Sequence, residues 1–346
     1  MNKKPDFFIV GAPKCGTTAM DCYLAAHPDI YMARKEMHHF GEDLRFGPHF
    51  YRRDRTEYLK EFEAASSQVR LGESSVWYLF SETAAAELEA FNPDARVIIM
   101  LREPVEMIHS LYYTFRWDNN EVLTTFEEAL AAENDRRKGR RLGRATYLAQ
   151  GLVYGDVVRF APQVERYFKI FGRDRVHVIL YDDFKKDVSG EYRKTLEFLE
   201  VEASFAPQNF KTVNDNKYAR FGAVRSLMSD PMLRSAVLSL RHLVPRFVFA
   251  AMQETDAAIR KFNSSVGNRP PLKPETRLQL ARRFAPEVER LGALLGRDLT
   301  HWSAEPVVRS IPPPKTVRLP QAPARSIADA RFTVGGIQGG AATNSR

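Results

Sequence analysis

Apolar residues fall into short, mostly unbroken runs, separated by longer stretches whose apolar positions recur at helical spacing. The runs at 7–10, 70–73, 96–101 and 175–181 predict strands, several of them covered on both faces. Residues 17–26, 81–91, 104–117, 156–170 and 190–200 predict helices. The third opens on Pro104 and lines up Val105, Ile108, Leu111, Tyr112 and Phe115. Strands alternating with helices predict an α/β domain, a parallel sheet flanked by helices. Beyond residue 204 the strand signal fades, and helices are expected at 223–229, 232–242, 246–262 and 274–295, the last interrupted by Pro286. This helical C-terminal half is expected to pack on the sheet. From residue 305 periodicity ends among Pro312-Pro313-Pro314, Pro320, Pro323 and paired glycines. The pattern therefore predicts one domain over 1–304 and a Pro/Gly-rich disordered tail over 305–346.

Candidate chemistry concentrates at the first strand. Phe7-Phe8-Ile9-Val10 leads into Gly11-Ala12-Pro13-Lys14-Cys15-Gly16-Thr17-Thr18 and then a helix. A strand, a glycine-bracketed turn and a helix start aim backbone N–H groups and the helix's positive end at one point, which suits a phosphate or sulfate. It is a P-loop-type arrangement without the nucleotide-triphosphatase spelling, where lysine directly follows the second glycine. Here Thr17 follows Gly16, and Lys14 lies inside the loop.

Composition narrows the setting. At 346 residues and 44% hydrophobic, the chain can bury a large core. It contains no run of 18 apolar residues, so no transmembrane segment is expected. The start, Met1-Asn2-Lys3-Lys4-Pro5, does not read as a signal peptide. Cys15 and Cys22 stand seven positions apart on one segment and predict no structural disulfide, which fits a reducing, cytoplasmic setting. The formal charge of +8 is local: six cations and no acid fill 136–144, the tail over 305–346 is net +4, and the rest of the chain is net −2. The body is slightly acidic, which argues against a general nucleic-acid surface.

Pro13-Lys14-Cys15-Gly16-Thr17-Thr18 resembles the P-(K/R)-x-G-T-(T/S) loop of sulfotransferases that use 3′-phosphoadenosine-5′-phosphosulfate. The resemblance spans about residues 6–302 and implies that this loop holds the donor's 5′-phosphosulfate. Arg102-Glu103-Pro104 with Ser110 resembles that family's R-x-P…S signature, which implies that Arg102 and Ser110 hold the 3′-phosphate. A cation at a strand's carboxyl end sits where ligands bind in open α/β sheets. A triphosphatase would more often place an aspartate there to support magnesium. The bland alternative is an ion pair of Arg102 with Glu103 or Glu106.

Lys35-Glu36-Met37-His38-His39-Phe40 resembles the segment of the heparan-sulfate-type enzymes that carries the general base, which implies that role for Glu36. His38 and His39 are rival bases. A metal at the His pair lacks other ligands at useful spacing, so none is expected. Glu73-Ser74-Ser75-Val76-Trp77-Tyr78 resembles E-K-T-P-x-Y, with Ser74 in place of the lysine and Val76 in place of the proline. Glu73 and Trp77 are candidates for the acceptor cleft, and core packing is the equal alternative for Trp77. Asp182-Asp183 is expected to cap the helix that follows. Residues 212–217 are a candidate loop over the nucleotide.

The resulting expectation is a cytoplasmic enzyme that transfers a sulfuryl group from 3′-phosphoadenosine-5′-phosphosulfate to a hydroxyl or amine. Lys14 and Glu36 are catalytic, and Lys14, Cys15, Gly16, Thr17, Thr18, Arg102 and Ser110 bind the donor. The acceptor partner is expected to be a small molecule, glycan or glycolipid. The alternatives are a P-loop kinase or nucleotide triphosphatase, which would need magnesium and ATP, and a non-catalytic nucleotide-binding module.

Overall fold

A computed structural model describes residues 3–47, 54–207, 210, 217–219, 264–266 and 269–304. The first half runs β1 (Phe7–Gly11), α1 (Thr17–Ala25), β2 (Ile30–Met32), α2 (Arg55–Lys60), β3 (Arg70–Ser74), α3 (Ala84–Phe91), β4 (Arg96–Leu101) and α4 (Pro104–Trp117). Short helices α5 (Phe126–Ala131), α6 (Glu133–Arg137) and α7 (Tyr154–Val157) follow, then α8 (Phe160–Phe171), β5 (Val176–Leu180), α9 (Tyr181–Lys186) and α10 (Val188–Leu199). A two-stranded antiparallel pair, β6 (Lys217–Ala219) with β7 (Ser264–Val266), precedes α11 (Pro274–Leu295).

Five strands form one sheet in the order β2-β3-β1-β4-β5, with every pairing parallel. The chain leaves β1 toward one side for β2 and β3, then crosses to the other for β4 and β5. The direction of winding therefore reverses between β1 and β4, where open α/β sheets form a crevice at their carboxyl ends. The β1 and β4 backbones meet there, with the Ala12 N–H donating to the Met100 carbonyl at 2.6 Å. Phe7, Phe8, Ile9 and Val10 are fully buried, each contributing about 1.5–3 kcal/mol by leaving water. This central strand is a rigid base for the loop it feeds.

The helices cover the sheet: α1 lies against β1 and β2, α8 against β4, β5 and α3, and α11 against α8 and α4. Several boundaries differ from the pattern. Strand β2 is three residues long, too short for a periodic signal. The helix expected at 156–170 is two, α7 and α8, because Pro162 fits the first turn of a new helix but not the interior of a continuing one. The helix expected from Ser81 begins at Ala84, since the Ser81 hydroxyl accepts the N–H groups of Thr83 and Ala84 in a turn. Helix α11 runs unbroken through Pro286. Leu280, Phe284, Val288 and Leu291 are buried along it, which outweighs the roughly 3 kcal/mol cost of an interior proline. The helices expected at 223–229, 232–242 and 246–262, most of the loop at 212–217, and the tail at 305–346 lie outside the described residues. No described helix is long and apolar enough to cross a membrane.

The cationic run at 136–144 is not a free patch. Arg136 is fully buried, its Nη2 2.6 Å from a Glu121 carboxylate that is also fully buried. Arg137 pairs with Asp156 at 2.8 Å, and Arg140 pairs with Asp135. Asp182 and Asp183 do not cap α9. Asp182 accepts from the Trp302 indole at 2.6 Å, and Asp183 pairs with Arg297 at 2.7 Å, which ties the chain after α11 to the edge of the sheet.

Candidate active site

The turn after β1 is shaped by glycines that no other residue replaces. Gly11 has φ +136°, and a Cβ there would collide with the Val76 carbonyl. Gly16 has φ +90° at the start of α1, where a Cβ would press on Tyr181 and Phe184 at 3.2–3.3 Å. Between them the backbone passes over the carboxyl end of the sheet and turns directly into α1. The N–H groups of the first helical turn are left facing outward.

A cavity of about 440 Å³ opens at this point. Lys14, Gly16, Thr17, Thr18, Arg102, Ser110 and Glu36 all line it, so seven of the eight residues the sequence selected come together. Cys15 is the exception. Its thiol is buried against the Pro13 carbonyl at 3.4 Å, where loss of water pushes its pKa up to about 12. The backbone N–H is what this residue has to offer the site.

Each wall has a structural origin. Helix α4 presents Ser110 and Thr114, with Asp118 at the same spacing just past its end and Leu111 and Phe115 beside them. Asp118 accepts from the Tyr147 hydroxyl at 2.9 Å. Glu103 caps α4 by accepting the N–H groups of Val105 and Glu106, so it is not the partner of Arg102. Arg102 lies 3.4 Å from Glu106, with its guanidinium over the Tyr181 ring at 4.8 Å. Its other arm reaches the Lys14 carbonyl at 3.4 Å. Arg269 approaches the same Glu106 at 4.0 Å, and its buried Nη1 has no hydrogen-bond partner among the described residues.

The acid–base end is built differently. Glu36 and His38 both line the cavity, with His38 Nε2 3.3 Å from the Glu36 carboxylate. His39 turns away and stacks on Tyr58, rings 4.0 Å apart, which removes it as a rival base. Burial raises the Glu36 carboxyl, against the opposing charge of Lys35 and the N–H of Val76. Burial, with Lys35 nearby, lowers the His38 imidazole to about 4, so it is neutral at ordinary pH. Lys35 donates to the Thr17 hydroxyl at 3.1 Å, linking this segment to the anion loop. Burial lowers the Lys14 ammonium, and the charges of Arg269 and Arg102 add to the effect. Three cations are thus held together in a partly dry space, an arrangement that an anion relieves.

Trp77 is both wall and core: it is 4% exposed, lines the cavity, and lies parallel to Phe115 with ring centres 5.8 Å apart. Glu73 is fully buried and does not line the cavity, contrary to the expectation for it. The sequence reading also missed Asp118, Tyr147, Tyr181 and Arg269. The i, i+4, i+8 spacing from Ser110 could have found Asp118, and the carboxyl end of β5 could have pointed to Tyr181, the first residue of α9; Tyr147 and Arg269 arrive from segments outside helices and strands with no local signal.

A family model described as a sulfotransferase domain matches residues 4–229. The solved structure of a sulfotransferase from Alicyclobacillus acidocaldarius is 30% identical with a TM-score of 0.64, over 87% of this chain and all of that one. Carbohydrate sulfotransferase 15 of Homo sapiens is 24% identical over 249 residues, 57% of this chain and 44% of that protein. The Homo sapiens bifunctional heparan sulfate N-deacetylase/N-sulfotransferase 1 is 27% identical over 179 residues, 51% of this chain and 20% of that protein. The chain spans less than half the length of these curated relatives.

Proposed function

The chain belongs to the sulfotransferase domain family, and on that premise we propose that it moves a sulfuryl group from 3′-phosphoadenosine-5′-phosphosulfate to a hydroxyl or amine of a carbohydrate acceptor. The observation that carries this reading is the meeting of Lys14, the α1 N-terminus, Arg102, Ser110 and Glu36 in one cavity. The loop N–H groups and Lys14 receive the 5′-phosphosulfate. Arg102 and Ser110, with Arg269 beside them, receive the 3′-phosphate, where a guanidinium can make paired charge-assisted bonds. Glu36 takes the acceptor's proton while the acceptor atom bonds to sulfur and the sulfur–oxygen bond to the 5′-phosphate breaks. Lys14 neutralises the charge that collects on that leaving phosphate. Positioning and electrostatic stabilisation do most of the work in such a transfer, as in phosphoryl transfer.

A carbohydrate acceptor is supported by the relatives' names. Calorimetry with 3′-phosphoadenosine-5′-phosphate and with ATP, each with and without a chelator, tests the donor. Tight binding of the first without magnesium is expected, and magnesium-dependent preference for ATP would overturn the reading. Incubation with labelled donor and a panel of glycans, glycolipids and small alcohols tests the acceptor. Donor binding without turnover on any of them would favour a non-catalytic module.

A further inference from the structure

Strand β3 carries, one residue before its end, a buried carboxylate that does not line the cavity. Glu73 Oε1 accepts from the Ser75 hydroxyl at 2.6 Å and from the Tyr78 hydroxyl at 2.9 Å, and Oε2 accepts from the Tyr58 hydroxyl at 2.7 Å. A hydroxyl has one proton to give. Ser75 and Tyr78 give theirs to Glu73, which leaves their oxygens to accept. Ser75 Oγ accepts the N–H groups of Met37 and His38, both at 3.1 Å. The Tyr78 oxygen accepts those of His39 at 2.8 Å and Phe40 at 3.3 Å.

Four consecutive backbone N–H groups therefore end, through two hydroxyls, on one carboxylate. Residues 37–40 belong to no helix or strand, so no ladder fixes them. They directly follow Glu36 and include His38, which has φ +50° and lies 3.3 Å from the Glu36 carboxylate. A buried acceptor that orients both hydroxyls is what gives this stretch a single conformation, because an unpaired buried N–H is costly.

We propose that Glu73, acting through Ser75 and Tyr78, is a positioning residue that holds Glu36 and His38 in register with the sulfuryl group. The inference rests on the sulfotransferase reading above. It predicts a division between turnover and binding, since the donor is held by the loop and by Arg102, on other elements. A displacement of about 1 Å at a reacting group costs on the order of 10²-fold in rate.

The test compares Ser75→Ala and Tyr78→Phe with Tyr58→Phe in the full chain, measuring kcat, donor KM and affinity for 3′-phosphoadenosine-5′-phosphate below each variant's melting temperature. Tyr58→Phe also removes one donor from Glu73 but touches none of the four N–H groups, so it controls for lost stability. Expected are a kcat loss of about 10- to 100-fold for Ser75→Ala and Tyr78→Phe, with nucleotide affinity kept within about twofold, and a kcat for Tyr58→Phe within about threefold of the parent. Should Ser75→Ala fail to fold, Glu73→Gln takes its place and is expected to lower kcat at unchanged nucleotide affinity. Equal kcat losses in the control and the other variants, or none in any, would overturn the positioning role. A parent chain that fails to bind the nucleotide would instead remove the sulfotransferase reading beneath it.

Discussion

Arg102→Ala tests the proposed contact to a 3′-phosphate. The guanidinium is held at 17% side-chain exposure over Tyr181, with arms 3.4 Å from Glu106 and from the Lys14 carbonyl. These are long contacts that leave the group available to a ligand. Charge-assisted bonds contribute about 1.5–3 kcal/mol each. A guanidinium making one or two to a phosphate is therefore worth about 3 kcal/mol, or roughly 10²-fold in affinity. Glu106 is not stranded by the change, because Arg277 stays 2.6 Å away and Arg269 4.0 Å. The fold should consequently lose less than about 1 kcal/mol. The assay is calorimetric titration of parent and variant with 3′-phosphoadenosine-5′-phosphate and with adenosine 5′-phosphate. The first should weaken by about two orders of magnitude and the second by less than about threefold. Equal weakening for both nucleotides would show that Arg102 acts on the shared part of the ligand, and the assignment of the 3′ pocket would be wrong.

Lys14→Ala should lower kcat by about 10²–10³-fold, the scale for losing one transition-state stabiliser, with a smaller change in donor affinity. A kcat within tenfold of the parent would place the leaving-group charge elsewhere. Glu36→Gln should abolish turnover while nucleotide affinity and melting temperature hold. In the parent, burial raises the Glu36 carboxyl, and a base works only when deprotonated, so kcat should fall as pH drops through a point above the ordinary carboxylate value of about 4.3. His38→Asn should leave that acid limb in place, because the imidazole stays neutral down to about pH 4; a limb that vanishes with His38 would make the histidine the base. Arg136→Met should cost about 3–5 kcal/mol by urea denaturation, since it removes the partner of a buried carboxyl, whereas charge removal at Arg137, Arg140 and Arg141 together should cost far less.

The sheet and the loop were legible because both are written in local residue patterns. Val97 to Leu101 is continuously apolar and forms a strand buried throughout, and Gly11 and Gly16 mark the turn. Arg102 was read from its place at a strand's carboxyl end and Ser110 from the resemblance to the R-x-P…S signature, and both line the cavity. Arg269 was not: it meets Glu106 from a segment more than 160 positions along the chain, and nothing near it in sequence announces the encounter. Glu73 was misread for a related reason. The resemblance of 73–78 to E-K-T-P-x-Y placed it near the cleft, but its direction depends on Tyr58, Ser75 and Tyr78, whose hydroxyls gather around it only in the folded chain. His38 and His39 are adjacent and chemically alike, and the backbone sends one to the cavity and the other to Tyr58.

Net charge was the least instructive number in the chain. The +8 total draws attention to 136–144, yet three of that run's six cations are matched by Glu121, Asp156 and Asp135. The positive charge beside the loop after β1 comes from Lys14, Arg102 and Arg269. Burial first, and then the charges of Arg269 and Arg102, lower the Lys14 ammonium at the carboxyl end of β1, with Glu106 offsetting part of the arginine charge. Charges placed there interact several times more strongly than the same charges in water, while exposed pairs contribute about 0–1 kcal/mol. Clustering like charges costs free energy in the empty protein, and a ligand with two separate anionic ends recovers it. A donor carrying a 5′-phosphosulfate and a 3′-phosphate has that charge distribution, so the same cations that burden the fold would select the molecule.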